Sequence, residues 1–282
     1  MQMHDGEMNY LEVVALSGSG GKTPLFCLPG AGGEVTTFRE MASLIADDQS
    51  VYGIDMQKFF ATDREFTVEQ LADLCLAAVR KMQPRGPYHM CGYSFGAIIA
   101  YEVASRLRRD GEDVGVVGLI DTGNPAFRAK LSSAETKQLQ TTYVANRLAK
   151  YFRFLLNGNI RTFAGSLAAL FAAGAGIRTR RLIRGVCRAM NRPMPAVFRH
   201  NDRALFDAWR AYNPPGSALS LLLFYGAYRR AEYGGDRTLG WGSCTSGEIY
   251  VELASEEHVE MMKIPHVRSF TARLSESLKR ER

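Results

Sequence analysis

The stretch HMCGYSFGAIIAYEVASRL, residues 89–107, decides the fold. Within it, Gly92-Tyr93-Ser94-Phe95-Gly96 has the form G-x-S-x-G. That pattern alone is weak, because glycine and serine are common residues. Its surroundings make it informative. Ahead of the serine, YHMCGY reads as a strand; behind it, FGAIIAYEVASRLRRDG reads as a helix closed by Gly111. A serine on a sharp strand-to-helix turn is the setting of a nucleophile elbow, which holds the side chain in a strained and exposed position. Glycines at 92 and 96 remove the side chains that would clash as strand and helix close on one another. The helix N-terminus then offers backbone N–H groups and a positive dipole end to a developing oxyanion.

Outward from the elbow, strands and helices alternate. PLFCLPG (24–30), SVYGIDM (50–56) and VGVVGLID (114–121) are short apolar runs ending in turn or polar residues, and they read as buried strands. Between them, VTTFREMASLIA (35–46) places apolar residues at helical spacing, and TVEQLADLCLAAVRKM (67–82) opens with Thr67 as N-cap and Gln70 three residues later. Strands joined by single helices imply right-handed βαβ units and a mainly parallel sheet. The rhythm breaks from Pro125 to about His200, a stretch rich in Ala, Leu and Arg that reads as helical. A helix at DRALFDAWRAY follows. Strands return at ALSLLLFYG (218–226) and EIYVELA (248–254), and a closing helix is predicted over IPHVRSFTARLSESLKR. A helical insertion of about 125–200 within one α/β domain spanning 1–282 accounts for this order.

Bulk properties agree with a globular chain. Its 282 residues are 46% hydrophobic and 23% charged, with a net charge of +6. No run combines basic residues with interleaved aromatics, so nucleic acid is not an expected partner. Cys27, Cys75, Cys91, Cys187 and Cys244 are widely spaced and odd in number, which predicts reduced thiols rather than a zinc site or a disulfide framework. The first residues lack the layout of a signal peptide. The longest apolar run, FAGSLAALFAAGAG (163–176), is too short to span a bilayer and lies between Arg161 and Arg178. The expectation is a cytoplasmic protein with no membrane partner. Neither G-x-x-x-x-G-K-[ST] nor G-x-G-x-x-G occurs, so no nucleotide cofactor is expected.

A nucleophilic serine needs a base, and the chain has five histidines. His4 lies in the N-terminal tail, His89 inside the strand before Ser94, and His200 at the end of the insertion. His258 follows the last strand, in EIYVELASEEH, while His266 opens the closing helix. His258 is the expected base. The base in turn needs a carboxylate to orient its imidazole. Asp121, at the end of VGVVGLID, and Asp236, in GGDRTLGW after the later strand, both qualify. The loop CLPGAGGEV leaves the strand at 24–30 and opens a helix, so its backbone faces the site. Its Ala31 N–H, with that of Phe95, is the expected oxyanion hole.

Taken together, PLFCLPGAGG, VYGIDMQ, the run from TVEQLADLC through GYSFGAIIAYEVASRL, LIDTGNP, RTLGW and EEHVEMMKIPHV resemble the thioesterase domains that end nonribosomal peptide and polyketide assembly lines, members of the α/β-hydrolase superfamily. The resemblance runs from about residue 24 to 278. It implies a Ser-Asp-His triad, with serine and histidine at Ser94 and His258. In chain-releasing members the acid ends the strand after the elbow helix, which favours Asp121 and leaves Asp236 as the fallback. It also implies a helical lid at about 125–200, an acyl or peptidyl thioester substrate on the phosphopantetheine of a carrier protein, and no bound cofactor. Two outcomes are implied, hydrolysis or macrocyclisation. A stand-alone editing thioesterase, an esterase or acyltransferase on oxygen esters, and a non-catalytic acyl-binding protein are the alternatives.

Ala97 stands where a second glycine is usual, and Ser-Glu-Glu precedes His258, so Glu256 and Glu257 depart from the common pattern. The chain starts close to its first strand, as expected for either a free-standing enzyme or a terminal domain. Residues 163–176 offer an acyl pocket or simple lid packing. Arg178, Arg180, Arg181, Arg184, Arg188 and Arg192 offer a docking face for an acidic carrier or a solvated helix face.

Overall fold

Short β-rich runs bounded by Gly, Pro and Asp form a seven-stranded sheet in the computed structural model, which describes residues 10–18, 20–45, 48–62, 64–129, 134, 141, 202–255, 258 and 260–280. The strands are β1 (Glu12–Ser17), β2 (Leu25–Leu28), β3 (Val51–Asp55), β4 (Tyr88–Tyr93), β5 (Val114–Ile120), β6 (Leu221–Gly226) and β7 (Ile249–Ser255). Their order is β1-β3-β2-β4-β5-β6-β7. Only β1 runs antiparallel, against β3; every other pair is parallel. The sequence reading starts the sheet at residue 24 and misses β1. That strand lies on the sheet edge with no fully buried residue, so its apolar signal is diluted.

Strand alternation sends side chains to two cores. Phe26 and Leu28 of β2 pack with Met90, Val117 and Leu119 beneath two long helices, α3 (Val68–Met82) and α4 (Phe95–Arg109). Leu25 and Cys27 face the other way, with Cys91, Ile120 and Phe224, toward the closing helix α8 (His266–Arg280). Because helices cover both faces, the central strands read as continuous apolar runs rather than alternating ones. Helix α3 starts as its sequence predicts. Thr67 Oγ1 accepts from Gln70 N at 3.2 Å while Gln70 Oε1 accepts from Thr67 N at 2.9 Å, a reciprocal cap.

The helix expected over 35–46 is split, a 3-10 turn at Val35–Phe38 running into α1 (Arg39–Leu44). A short helix, α2 (Gln57–Phe60), follows β3. Beyond β5 come α5 (Pro125–Ala129), α6 (Asp202–Ala211) and, after β6, α7 (Ala227–Glu232). Apart from α5 and the single helical positions 134 and 141, the helical insertion lies outside the described residues, as do the apolar run at 163–176 and the six arginines between 178 and 192. Cys27, Cys75 and Cys91 are buried thiols, and Cys244 is partly exposed. Among the described residues no helix is long and apolar enough to cross a membrane.

Two polar networks tie α4 to its surroundings. Glu102, buried, accepts from Arg106 Nε at 2.7 Å and from the Tyr212 hydroxyl at 2.6 Å, which anchors the segment after α6. The Tyr101 hydroxyl reaches Pro215 O at 2.8 Å, and its ring packs on Trp241. The helix that begins at the elbow is thereby pinned along its length.

Candidate active site

β4 and β5 lie side by side at the centre of the sheet, so their carboxyl ends place Ser94 and Asp121 at neighbouring positions. Ser94 adopts φ 55° and ψ −119°, a positive-φ conformation that residues with a side chain rarely take. Its N–H donates to Ile120 O at 2.8 Å, which fastens the elbow to the adjacent strand. Both flanking glycines are required by contact. A Cβ on Gly92 would lie 2.3 Å from Gly96 O, and one on Gly96 would lie 2.1 Å from Leu28 O and 2.3 Å from Pro29 O. Gly96 thus lets the elbow press against the loop that leaves β2. Among the described residues the other non-glycine positions with positive φ are Asp121 and Leu239. Strain of this kind, worth about 1–3 kcal/mol per residue, tends to persist at functional sites.

Asp121 is 2% exposed, and each carboxylate oxygen is held. Oδ1 accepts from Gly226 N at 2.8 Å, where β6 ends. Oδ2 is hydrogen-bonded to His258 Nδ1. Burial raises the tendency of this carboxyl to hold a proton. The His258 hydrogen bond, the Arg229 guanidinium and the Gly226 N–H outweigh that, and the pKa lies below the usual aspartate value. His258 is fixed by further contacts. Tyr93 stacks on its ring at 4.9 Å between centroids, and the Tyr93 hydroxyl donates to His258 O at 2.8 Å. Burial is also the main cause that pushes the Tyr93 phenol pKa up. Among the described residues no hydrogen bond runs from Ser94 Oγ to the His258 ring; such bonds are often loose before substrate binds.

The remaining candidates fall elsewhere. Asp236 turns inward on its own loop, accepting from Thr238 N at 2.9 Å, Thr238 Oγ1 at 2.9 Å and Gly240 N at 2.8 Å. That loop in turn supports the segment after Asp121, through Asn124 N to Leu239 O at 2.9 Å and Trp241 Nε1 to Thr122 O at 3.1 Å. His89 is buried in β4, where its Nδ1 accepts from Val116 N at 3.0 Å and burial lowers its pKa to about 4. His266 opens α8. His4, His200, Glu256 and Glu257 lie outside the described residues.

Ala31 follows Gly30, whose Cβ position is 3.3 Å from Ser94 Cβ, so the loop lies directly against the elbow. The loop is shaped by Gly33, at φ 73°, whose carbonyl takes Met56 N–H at 2.9 Å. Phe95 is the first residue of α4, where N–H groups have no partner within the helix. Its ring packs edge-on against Phe60 and Phe66, which joins the elbow to the β3–α3 connection. Two residues that sequence reasoning passed over complete the site. Tyr93 fills a variable position of G-x-S-x-G, and Arg229 sits in an ordinary basic run, so neither carries a local signal.

The thioesterase domain family matches residues 23–277. The chain belongs to that family. It is 30% identical over 237 residues to the nonribosomal peptide synthetase btyA of Aspergillus terreus, covering 79% of this chain and 24% of that protein. It is 27% identical over 277 residues to the chondramide synthase cmdD of Chondromyces crocatus, covering 93% of this chain and 7% of that one. The chain therefore spans a small part of the length of these curated relatives. Among solved structures it resembles the NocB thioesterase domain in covalent complex with a fluorophosphonate nocardicin G analog, at a TM-score of 0.60 and 18% identity, covering 95% of this chain and 99% of that one. The thioesterase domain thus has the α/β-hydrolase fold, a mostly parallel sheet flanked by helices.

Proposed function

We propose that this thioesterase domain releases an acyl or peptidyl chain from the phosphopantetheine of a carrier protein through an acyl-Ser94 intermediate. The observation that carries the reading is the hydrogen-bonded Asp121–His258 pair at the strand ends beside a serine held at positive φ. The similarity to nonribosomal peptide synthetases supports the substrate class.

Ionised Asp121 accepts from His258 Nδ1–H, which leaves the Nε2 lone pair for Ser94. Ser94 Oγ attacks the thioester carbonyl carbon as its proton passes to His258 Nε2. The carbonyl oxygen becomes an oxyanion, held by the N–H groups of Ala31 and Phe95. As the carbon–sulfur bond breaks, the imidazolium returns its proton to the leaving thiolate. Water, or an amine or hydroxyl of the same chain, then attacks the acyl-enzyme as its proton passes to His258, and the imidazolium gives that proton to Ser94 Oγ as the ester bond breaks, restoring the free serine. Water yields the acid; the internal nucleophile yields a ring. Excluding water from the site favours the ring.

The test is intact-mass spectrometry of the protein incubated with acyl thioesters of pantetheine, alongside Ser94→Ala. The wild type should gain the acyl mass and lose it as acid or ring appears, while Ser94→Ala gains nothing. An equal adduct on both proteins would reject Ser94 as nucleophile. Turnover of oxygen esters with no reaction of any thioester would move the substrate class to esters.

A further inference from the structure

One charged side chain beside the Asp121–His258 pair has no part in the scheme above. Arg229, on α7, places Nε 3.6 Å from Asp121 Oδ2, the oxygen that also faces His258. Its Nη1 lies 3.1 Å from Glu232 Oε2, one turn further along the same helix. The arrangement follows from the chain path. β6 ends at Gly226, whose N–H holds Asp121 Oδ1, and three residues later α7 brings the guanidinium to Oδ2. The end of β6 and the start of α7 therefore reach both oxygens of an aspartate that follows a different strand, β5.

The groups facing Asp121 are His258 from beyond β7, Arg229 from α7 and the Tyr93 phenol from β4, with Glu232 and Tyr233 acting on the far side of Arg229. An ionised carboxylate at 2% exposure is costly unless a cation or several donors compensate. Protonation would do more than remove a charge. A neutral Asp121 would donate its O–H to His258 Nδ1, leaving the ring proton on Nε2, where it cannot act as a base toward Ser94.

We propose that Arg229 is a positioning residue that keeps Asp121 ionised with Oδ2 turned to His258, and so selects the tautomer in which His258 can accept the serine proton. This rests on the triad reading of Ser94, His258 and Asp121. Glu232 draws part of the guanidinium charge away, which limits the repulsion that Arg229 exerts on the imidazolium formed during reaction.

The rate at which an alkyl fluorophosphonate labels Ser94, measured against pH, tests the inference without knowledge of the acyl substrate. In that reaction the Ser94 oxygen–phosphorus bond forms, phosphorus–fluorine breaks, His258 takes the serine proton and fluoride leaves. Arg229→Gln should move the acid limb of the profile upward by about half a unit or more, which lowers the labelling rate at pH values on that limb by about threefold or more, in line with the loss of one close charge partner. Arg229→Lys, which restores the charge, should recover most of the rate and the position of the limb. An Arg229→Gln protein with an unchanged acid limb, whatever its melting temperature, overturns the proposal. So does an Arg229→Lys protein that is folded by near-ultraviolet circular dichroism yet behaves like Arg229→Gln. Controls separate this from failure of the triad. If the wild type is not labelled at Ser94, or His258→Ala is labelled as fast as wild type, the triad reading falls and takes this inference with it. If both controls behave, an unchanged Arg229→Gln profile rejects the role of Arg229 alone.

Discussion

Two aspartates competed for one role, and a pair of isosteric changes separates them. In Asp121→Asn the amide oxygen still accepts from Gly226 N–H, but the NH2 group takes the place of Oδ2 opposite His258 Nδ1. It donates where a carboxylate accepts, so the ring proton moves to Nε2 and His258 loses its capacity as a base. In a serine-histidine-aspartate triad this error lowers the rate about 10⁴-fold, or about 5 kcal/mol of barrier. In Asp236→Asn the oxygen can still serve Thr238, while the new NH2 opposes the Gly240 N–H now held at 2.8 Å. Losing one charge-assisted bond and setting donor against donor costs about 1.5–3 kcal/mol of stability. At about 2–4 °C per kcal/mol for a domain of this class, the melting temperature should fall by roughly 5 °C. Single-turnover acylation by an acyl-pantetheine thioester, quenched and read by intact mass, gives the chemical rate; a thermal melt gives the stability. Asp121→Asn should be slow and folded, and Asp236→Asn less stable with a rate within about threefold of wild type. If Asp121→Asn acylates within tenfold of wild type while Asp236→Asn loses a thousandfold, the assignment of the acid is wrong.

Two further outcomes follow from named contacts. Gly96→Ala drives a Cβ toward two backbone carbonyls at 2.1 and 2.3 Å, so the loop carrying Ala31 must retreat from the elbow. Acylation should drop at least about 100-fold, the scale of losing one oxyanion donor; a rate within threefold would show that the loop position does not matter. His89 has a folded pKa of about 4, against about 6.5 when unfolded, so the unfolded chain binds more protons between those values. Stability should therefore fall as pH drops from 6.5 to 4, by about 3 kcal/mol, and level off below that window. His89→Gln, whose amide oxygen can still take the Val116 N–H, should flatten this stretch of the curve in denaturant titrations at stepped pH. An unchanged slope would assign the dependence to other groups.

How far the sequence could be read depended on whether a feature was local. The elbow was legible because its parts are consecutive: two glycines around Ser94, a strand before and a helix after, each dictated by steric contact within a few residues. The reciprocal cap of α3 was legible for the same reason. Strand β1 was not, since an edge strand needs only one apolar face and the partner that selects it, β3, lies about 40 residues away. Nor could residue spacing choose between Asp121 and Asp236. Both follow strands, and the choice depends on where each side chain finds donors. Asp236 finds them on its own loop, whereas Asp121 finds them on β6 and beyond β7.

The sequence by itself thus determined the alternating α/β architecture, the turn that presents Ser94 and the short menu of partners for it. Only the tertiary structure brought His258 to Asp121 across 137 positions of chain, laid Tyr93 along the imidazole and set Arg229 against the same carboxylate. The physical reason is one of range. Backbone sterics and helix caps act between near neighbours and leave their mark in consecutive residues. The charge and hydrogen-bond balance of a buried carboxylate is summed over groups that meet only after the sheet has assembled.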